Sequence, residues 1–209
     1  MVALQPRIVK IFLASSNFGK LREYRELAAG TPLEIEQLPN FSQVRPFDES
    51  APTFAEIAAG KALHYSRFTP EIVLADDSGL AVPALGGEPG VRSARYAGPR
   101  ASDAENVEKL LRELEGKEDA DRRARFVCVI AVARQGHMLV VASDFAEGVI
   151  AKNPSGAHGF GYDPVFFFPD AGHTFAEISP DQKNRYSHRS KAFRKTADFL
   201  ISPNFSATK

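Results

Sequence analysis

A chain of 209 residues is long enough for one compact domain, or for two closely packed lobes sharing a core, and short for two independent domains. With 44% apolar and 25% charged residues it is neither disordered nor fibrous. Lysine plus arginine total 26, equal to aspartate plus glutamate at 26, so no global positive field favours long nucleic acid or an anionic membrane, and any anion must be bound by local geometry.

The single Cys128 lies in the apolar run FVCVIAV, where an inert core thiol is expected, and disulfides and cysteine-based zinc sites are excluded. The apolar stretch IFLA at 11–14 is too short for a signal-peptide core or a membrane span, and a cytoplasmic protein is expected.

Residues 7–14 (RIVKIFLA) predict a strand that breaks at Ser15, Ser16 and Asn17, after which Leu21, Tyr24, Leu27 and Ala28 recur at helical spacing. Thr53-Phe54-Ala55-Glu56 has capping-box form and opens a helix predicted to reach about Ser66. Residues 72–75 (IVLA) predict a short strand leading into an acidic turn, Asp76-Asp77-Ser78-Gly79, with extended chain over 80–85 and turns at Gly86-Gly87 and Pro89-Gly90.

Ser102-Asp103-Ala104-Glu105 is a second capping box, and Val107, Leu110, Leu111 and Leu114 make the buried stripe of a third helix ending at Gly116. Residues 125–134 and 137–143 predict two strands joined as a hairpin by Gln135-Gly136, and 164–168 a further strand. A last helix from about His188 to Leu200 carries Ala192, Phe193, Thr196 and Phe199 on one side. Alternating and hairpin connections together predict an α/β fold with a mixed sheet. No internal repeat, low-complexity tract or long linker interrupts it.

Four segments carry candidate chemistry. Ser15-Ser16-Asn17-Phe18-Gly19-Lys20 stands where a strand hands over to a helix, and helix-start amides, a permissive glycine and a lysine can hold phosphate; an Asn-capped surface helix explains the same residues. It is not a Walker loop, since Ala14 and Leu21 replace the first glycine and the metal-binding hydroxyl residue. Asp76 and Asp77 at the end of a buried strand suit magnesium, which takes one or two carboxylates plus phosphate oxygens and water; an Asx-turn capped by Asp and Ser is the structural alternative.

Gly159-Phe160-Gly161-Tyr162-Asp163-Pro164 is a glycine-rich aromatic turn, able to bring backbone and a stacking ring to a nucleobase or simply to cover the core. Lys183, His188 and Arg189 are donors matched to the acceptors of a triphosphate or a purine carbonyl. His64, His137, His158 and His173 have no ligand spacing, and no serine–histidine–acid arrangement is readable from residue order.

Together these segments resemble the inosine triphosphate pyrophosphatase family: SSNFGK at 15–20, ADDSGLAVPALGGEPGVRSARYAG at 75–98, GFGYDPVF at 159–166 and AEISPDQKNRYSHRSKA at 176–192 follow the family's order and spacing over nearly the whole chain. The resemblance implies a single nucleoside triphosphate pyrophosphatase domain over 1–209, with an elongated mixed sheet in two lobes and the nucleotide in the cleft between them, and usually a homodimer. It implies hydrolysis of noncanonical purine nucleoside triphosphates (dITP, ITP, XTP) to monophosphate and pyrophosphate.

By the same resemblance, Ser15, Ser16, Asn17, Phe18, Gly19, Lys20, Lys61 and Lys183 would hold phosphates, with Ser78 beside them, and Phe160, Gly161, Tyr162, Asp163, His188 and Arg189 would form the base and sugar pocket. Glu49 and Asp77 would ligate Mg2+; Asp77 would also be the proton acceptor and Asp76 would support the site. The departures are Ile57, where many relatives carry Asn, and Pro83, at a position usually acidic or polar. The rival functions are a pyrophosphatase of other modified or pyrimidine triphosphates and a noncatalytic nucleotide sensor, which would not need paired aspartates.

Overall fold

The computed structural model describes residues 8–203 and 205; Arg7, the expected start of the first strand, lies outside the described residues. In chain order the elements are β1 (Val9–Leu13), α1 (Phe18–Ala28), β2 (Leu33–Gln37), α2 (Phe54–Tyr65), β3 (Ile72–Ala81), α3 (Asp103–Glu113), β4 (Arg123–Arg134), β5 (His137–Ile150), β6 (Phe166–Phe168), β7 (His173–Thr174), α4 (Pro180–Tyr186) and α5 (His188–Ile201). The strands form one open seven-stranded sheet in the order β2-β1-β3-β4-β5-β6-β7. It is mixed: β1 is parallel to β2 and β3, whereas β6 is antiparallel to β5 and β7. The expected α/β class is therefore the fold observed.

Two compact units divide the chain. The first holds the described residues up to Asp76, Val129–Ala142 and the described residues from Ala192 onward; the second holds Asp77–Cys128 and Ser143–Lys191. A boundary falls inside β3, between Asp76 and Asp77.

In the first unit small residues let elements approach closely. Ala58 and Ala62 of α2 pack with Val73 and Ala75 of β3 and with Val129, Ala131 and Ala133 of β4. Gly60 admits the Phe47 ring, which a Cβ would meet at 2.3 Å, and the Phe47 amide donates to the Tyr65 hydroxyl at 3.1 Å. The chain just ahead of Glu49 is thereby fastened to α2. The β4–β5 hairpin turns at Gln135-Gly136, both at positive φ as a two-residue hairpin turn requires, and Gly136 N–H donates to Ser66 Oγ.

The second unit is built on aromatic rings. Phe126 and Phe166 lie 4.5 Å apart between centroids and Phe166 and Phe175 4.9 Å, with Leu80, Leu110, Leu114, Ile150 and Val165 around them. Each fully buried ring contributes about 2–3 kcal/mol by leaving water. Buried Arg122 donates to the carbonyls of Leu114, Ile150 and Ala151, joining the end of α3 to the end of β5.

Several expectations are corrected. Asp76-Asp77-Ser78-Gly79 is not a turn; it is the middle of the ten-residue β3, and the chain beyond it closes in a 3-10 turn at Pro83–Leu85 instead of staying extended. The first run of the strand is apolar enough to be buried and pairs with β1 over Ile72–Leu74, and beyond those residues β3 continues in the sheet beside β4. At α2, Glu56 receives a hydrogen bond from the Thr53 hydroxyl, whereas at α3 Ser102 and Glu105 form the complete reciprocal box. In α5 the buried stripe is Ala192, Phe193, Thr196, Ala197 and Leu200; Phe199 is partly exposed, because a 3.6-residue period returns the Phe193 side at Leu200. β2 and α4 were not foreseen, although LEIEQ alternates in polarity and Ser179-Pro180-Asp181-Gln182 makes a full capping box with proline at the first turn.

Candidate active site

In the first unit the phosphate-type segment lies at the start of α1. Asn17 caps the helix by accepting the Lys20 amide at 3.0 Å, and Ser15 Oγ accepts the Asn17 amide at 3.2 Å. Gln37 from β2 donates to the Ser15 carbonyl at 3.0 Å, a support that sequence reading missed. Ser16, Asn17 and Phe18 are exposed, and Gly19 and Lys20 complete the first turn, where helix amides are directed outward.

Two lysines converge on Asp76. The Lys20 ammonium stands 3.0 Å from each of its carboxylate oxygens, and Lys61, from α2, reaches its carbonyl at 3.4 Å while pairing with Glu49 Oε1 at 3.0 Å. Asp76 is buried, and Glu49 keeps 39% of its side chain exposed. Two ammoniums balanced by two carboxylates form a polar cluster in which phosphate oxygens can replace carboxylate contacts. Extended backbone sends the Asp76 and Asp77 side chains to opposite faces of β3.

In the second unit Asp77, buried, opens the segment, and Ser78 Oγ accepts from Arg189 Nη2 at 2.8 Å. Asp163 receives the Lys183 ammonium at 2.6 Å and the Phe160 amide at 2.9 Å, and both residues of the ion pair are buried. Lys183, expected among phosphate holders, is thus engaged with the glycine-rich loop. Its ammonium lies 5.1 Å from the Phe160 ring centroid, and the Arg189 guanidinium carbon lies 5.5 Å from it. Half-buried Phe160 therefore has two cations over its ring.

Tyr162 sits in the core instead of offering an open face. Its hydroxyl donates to the Ser93 carbonyl at 2.9 Å, and burial first, then the charges of nearby groups, push its pKa well above the ordinary tyrosine value. Ser93, unremarked in sequence, also receives the Leu80 amide at 2.9 Å and so ties β3 to the aromatic loop. His188 is buried with its ring stacked 4.7 Å from Phe126, and Arg189 is buried beside it in the first turn of α5. Gly161 donates its amide to Asp103 at 2.7 Å. Cys128 is buried in the core, as expected.

Among the described residues no three histidine, cysteine, aspartate or glutamate side chains gather into a metal cage, and no helix is long and apolar enough to cross a membrane.

A family model described as the Ham1 family matches residues 11–199. A dITP/XTP pyrophosphatase of Geobacillus kaustophilus is 48% identical over 186 residues, covering 89% of this chain and 91% of that protein. A protein of the same name from Listeria innocua is 46% identical over 185 residues, 88% and 91% of the two chains. Among solved structures, a HAM1 protein from Coxiella burnetii matches with a TM-score of 0.82 at 42% identity, over 92% of this chain and 98% of that one. The Ham1 protein of Staphylococcus aureus gives 0.80 at 38% identity, over 91% and 97%.

Proposed function

Since the chain belongs to the Ham1 family, we propose that it hydrolyses noncanonical purine nucleoside triphosphates such as dITP, ITP and XTP to the monophosphate and pyrophosphate. The observation that supports this most directly is the pair of ammoniums, Lys20 and Lys61, gathered on Asp76 from α1 and α2. They are the charge that a triphosphate needs, held in place before it arrives.

Ser15 to Lys20 and Lys61 would bind phosphate oxygens, and Asp77 would take the proton of a water directed at the α-phosphorus as pyrophosphate leaves. Phe160 would stack on the base, with Gly161, Tyr162, Asp163 and Lys183 keeping its loop in shape, and with Ser78 holding Arg189. His188 and Arg189 are donors for the 6-oxo edge of hypoxanthine or xanthine; adenine presents a donor there and leaves them unpaired.

Magnesium is the proposed cofactor, because it needs only one or two hard carboxylates beside phosphate and water, which Glu49 and Asp77 would supply. Such an ion would neutralise charge growing on the phosphate oxygens. The same assignment makes the chain one functional domain, a homodimer and an enzyme of the cytoplasmic nucleotide pool.

The test is incubation with dITP, XTP, dGTP, dATP and dUTP, with and without magnesium, and identification of the released anion. Pyrophosphate from dITP and XTP, with dATP and dUTP intact, is expected. Orthophosphate as first product overturns the cleavage position; preference for dUTP overturns the base assignment; binding without turnover makes the chain a sensor. A light-scattering mass of one chain would refute the dimer.

A further inference from the structure

We propose that Asp103 is a positioning residue for base recognition: from the first turn of α3 it holds the loop that presents Phe160, through the Gly161 amide. The proposal rests on the function above.

Ser102 and Glu105 already satisfy the helix start reciprocally, Ser102 Oγ accepting the Glu105 amide and Glu105 accepting the Ser102 amide. The Asp103 carboxylate is not needed for that cap and is turned to a residue 58 positions away, accepting Gly161 N–H at 2.7 Å. A carboxylate acceptor makes this a charge-assisted bond, stronger than an ordinary backbone contact. Its proximity to the loop is also felt by Tyr162, whose raised pKa includes the repulsion of the Asp103 charge after the larger effect of burial.

The consecutive amides of Phe160 and Gly161 are thus held by two different carboxylates. Asp163 holds the first from within the loop and itself leans on Lys183; Asp103 holds the second from a helix. The Asp103 bond ties the loop backbone to α3, whose own seat is fixed by Asn106, which accepts the Ala97 amide at 2.8 Å and donates to the Ala94 carbonyl at 3.2 Å. Without it, Phe160 would keep its ring contacts with Lys183 and Arg189 while the backbone between Phe160 and Tyr162 gained freedom. Loss should therefore weaken binding of the base and leave the chemistry at phosphorus alone.

The experiment compares D103A, D103N and S102A in the full chain, reading KM and kcat for dITP and the hydrogen–deuterium exchange of a peptide spanning 159–163. D103A should raise KM about five- to tenfold with kcat near wild type, and speed exchange in that peptide. D103N, which keeps an acceptor oxygen, should recover most of both. S102A weakens the helix cap without touching Gly161, so it should lower thermal stability and leave KM and exchange at wild-type values. Unchanged exchange in D103A, or a KM rise shared equally by S102A, overturns the proposal. If the wild type hydrolyses none of the triphosphates, the assigned function fails, and the role of Asp103 is then decided by the same exchange comparison together with equilibrium binding of dITP.

Discussion

Lys20 straddles Asp76, its ammonium 3.0 Å from both carboxylate oxygens, with the carboxylate buried and the lysine 14% exposed. A charge pair this far from water is costly to break from one side, because the remaining ion keeps its desolvation penalty. K20M should destabilise the protein by about 3 kcal/mol, and adding D76N should restore part of the loss. Urea denaturation of the single and double variants measures it. No recovery in the double variant would show that the pair is not the source of the effect.

Asp77 is buried at the first position of the second unit, within β3. As the assigned proton acceptor it should be needed for turnover more than for binding. D77N should lower kcat for dITP by about a thousandfold, with dITP binding close to wild type. Single-turnover kinetics and equilibrium titration separate the two; wild-type kcat in D77N would remove Asp77 from the mechanism.

Gly159 has φ +77°, and a Cβ there would stand 2.0 Å from Asp163 Oδ2. That oxygen cannot give way freely, since it accepts from both the Phe160 amide and Lys183. G159A should cost about 2 kcal/mol and raise KM for dITP, combining left-handed backbone strain with displacement of the Asp163 carboxylate. Thermal melting and steady-state kinetics together check it, and a wild-type KM would contradict the coupling of this loop to the base.

Glu177 accepts from Ser155 Oγ and from the Thr174 amide, both at 2.7 Å, and these bonds, the serine first, hold its pKa below the ordinary glutamate value of 4.5. Between the depressed folded value and the ordinary one, the folded state binds fewer protons than the unfolded state. The contribution to stability is therefore complete above about pH 4.5 and disappears as pH falls through the folded value. E177Q should flatten the acid-side decline of the melting temperature while leaving its neutral-pH shape alone. Identical acid slopes for the two proteins would refute the assignment.

Much of the fold was legible from local patterns. The caps Thr53 and Ser102, the apolar stripes of the first and third helices and the Gln135-Gly136 hairpin all depend on residues within a turn or two of each other, and each forms near its expected place. The acidic segment was misread for the same reason. Asp-Asp-Ser-Gly has the local chemistry of a turn, and only the pairing partner beside it makes it a strand. Tyr162 likewise has the composition of a stacking residue, and the Ser93 carbonyl and surrounding rings make it core.

What the sequence by itself determined is the α/β alternation and the inventory of chemical groups: two adjacent aspartates, the helix-start lysine, the glycine-rich aromatic loop and the basic start of the last helix. The tertiary structure alone decided their partners. Lys20 meets Asp76 across 56 positions, Gly161 meets Asp103 across 58 and Arg189 meets Ser78 across 111. Such pairings follow from strand order and from which buried charge must be balanced, and those are properties of the packed chain that no window of neighbouring residues contains.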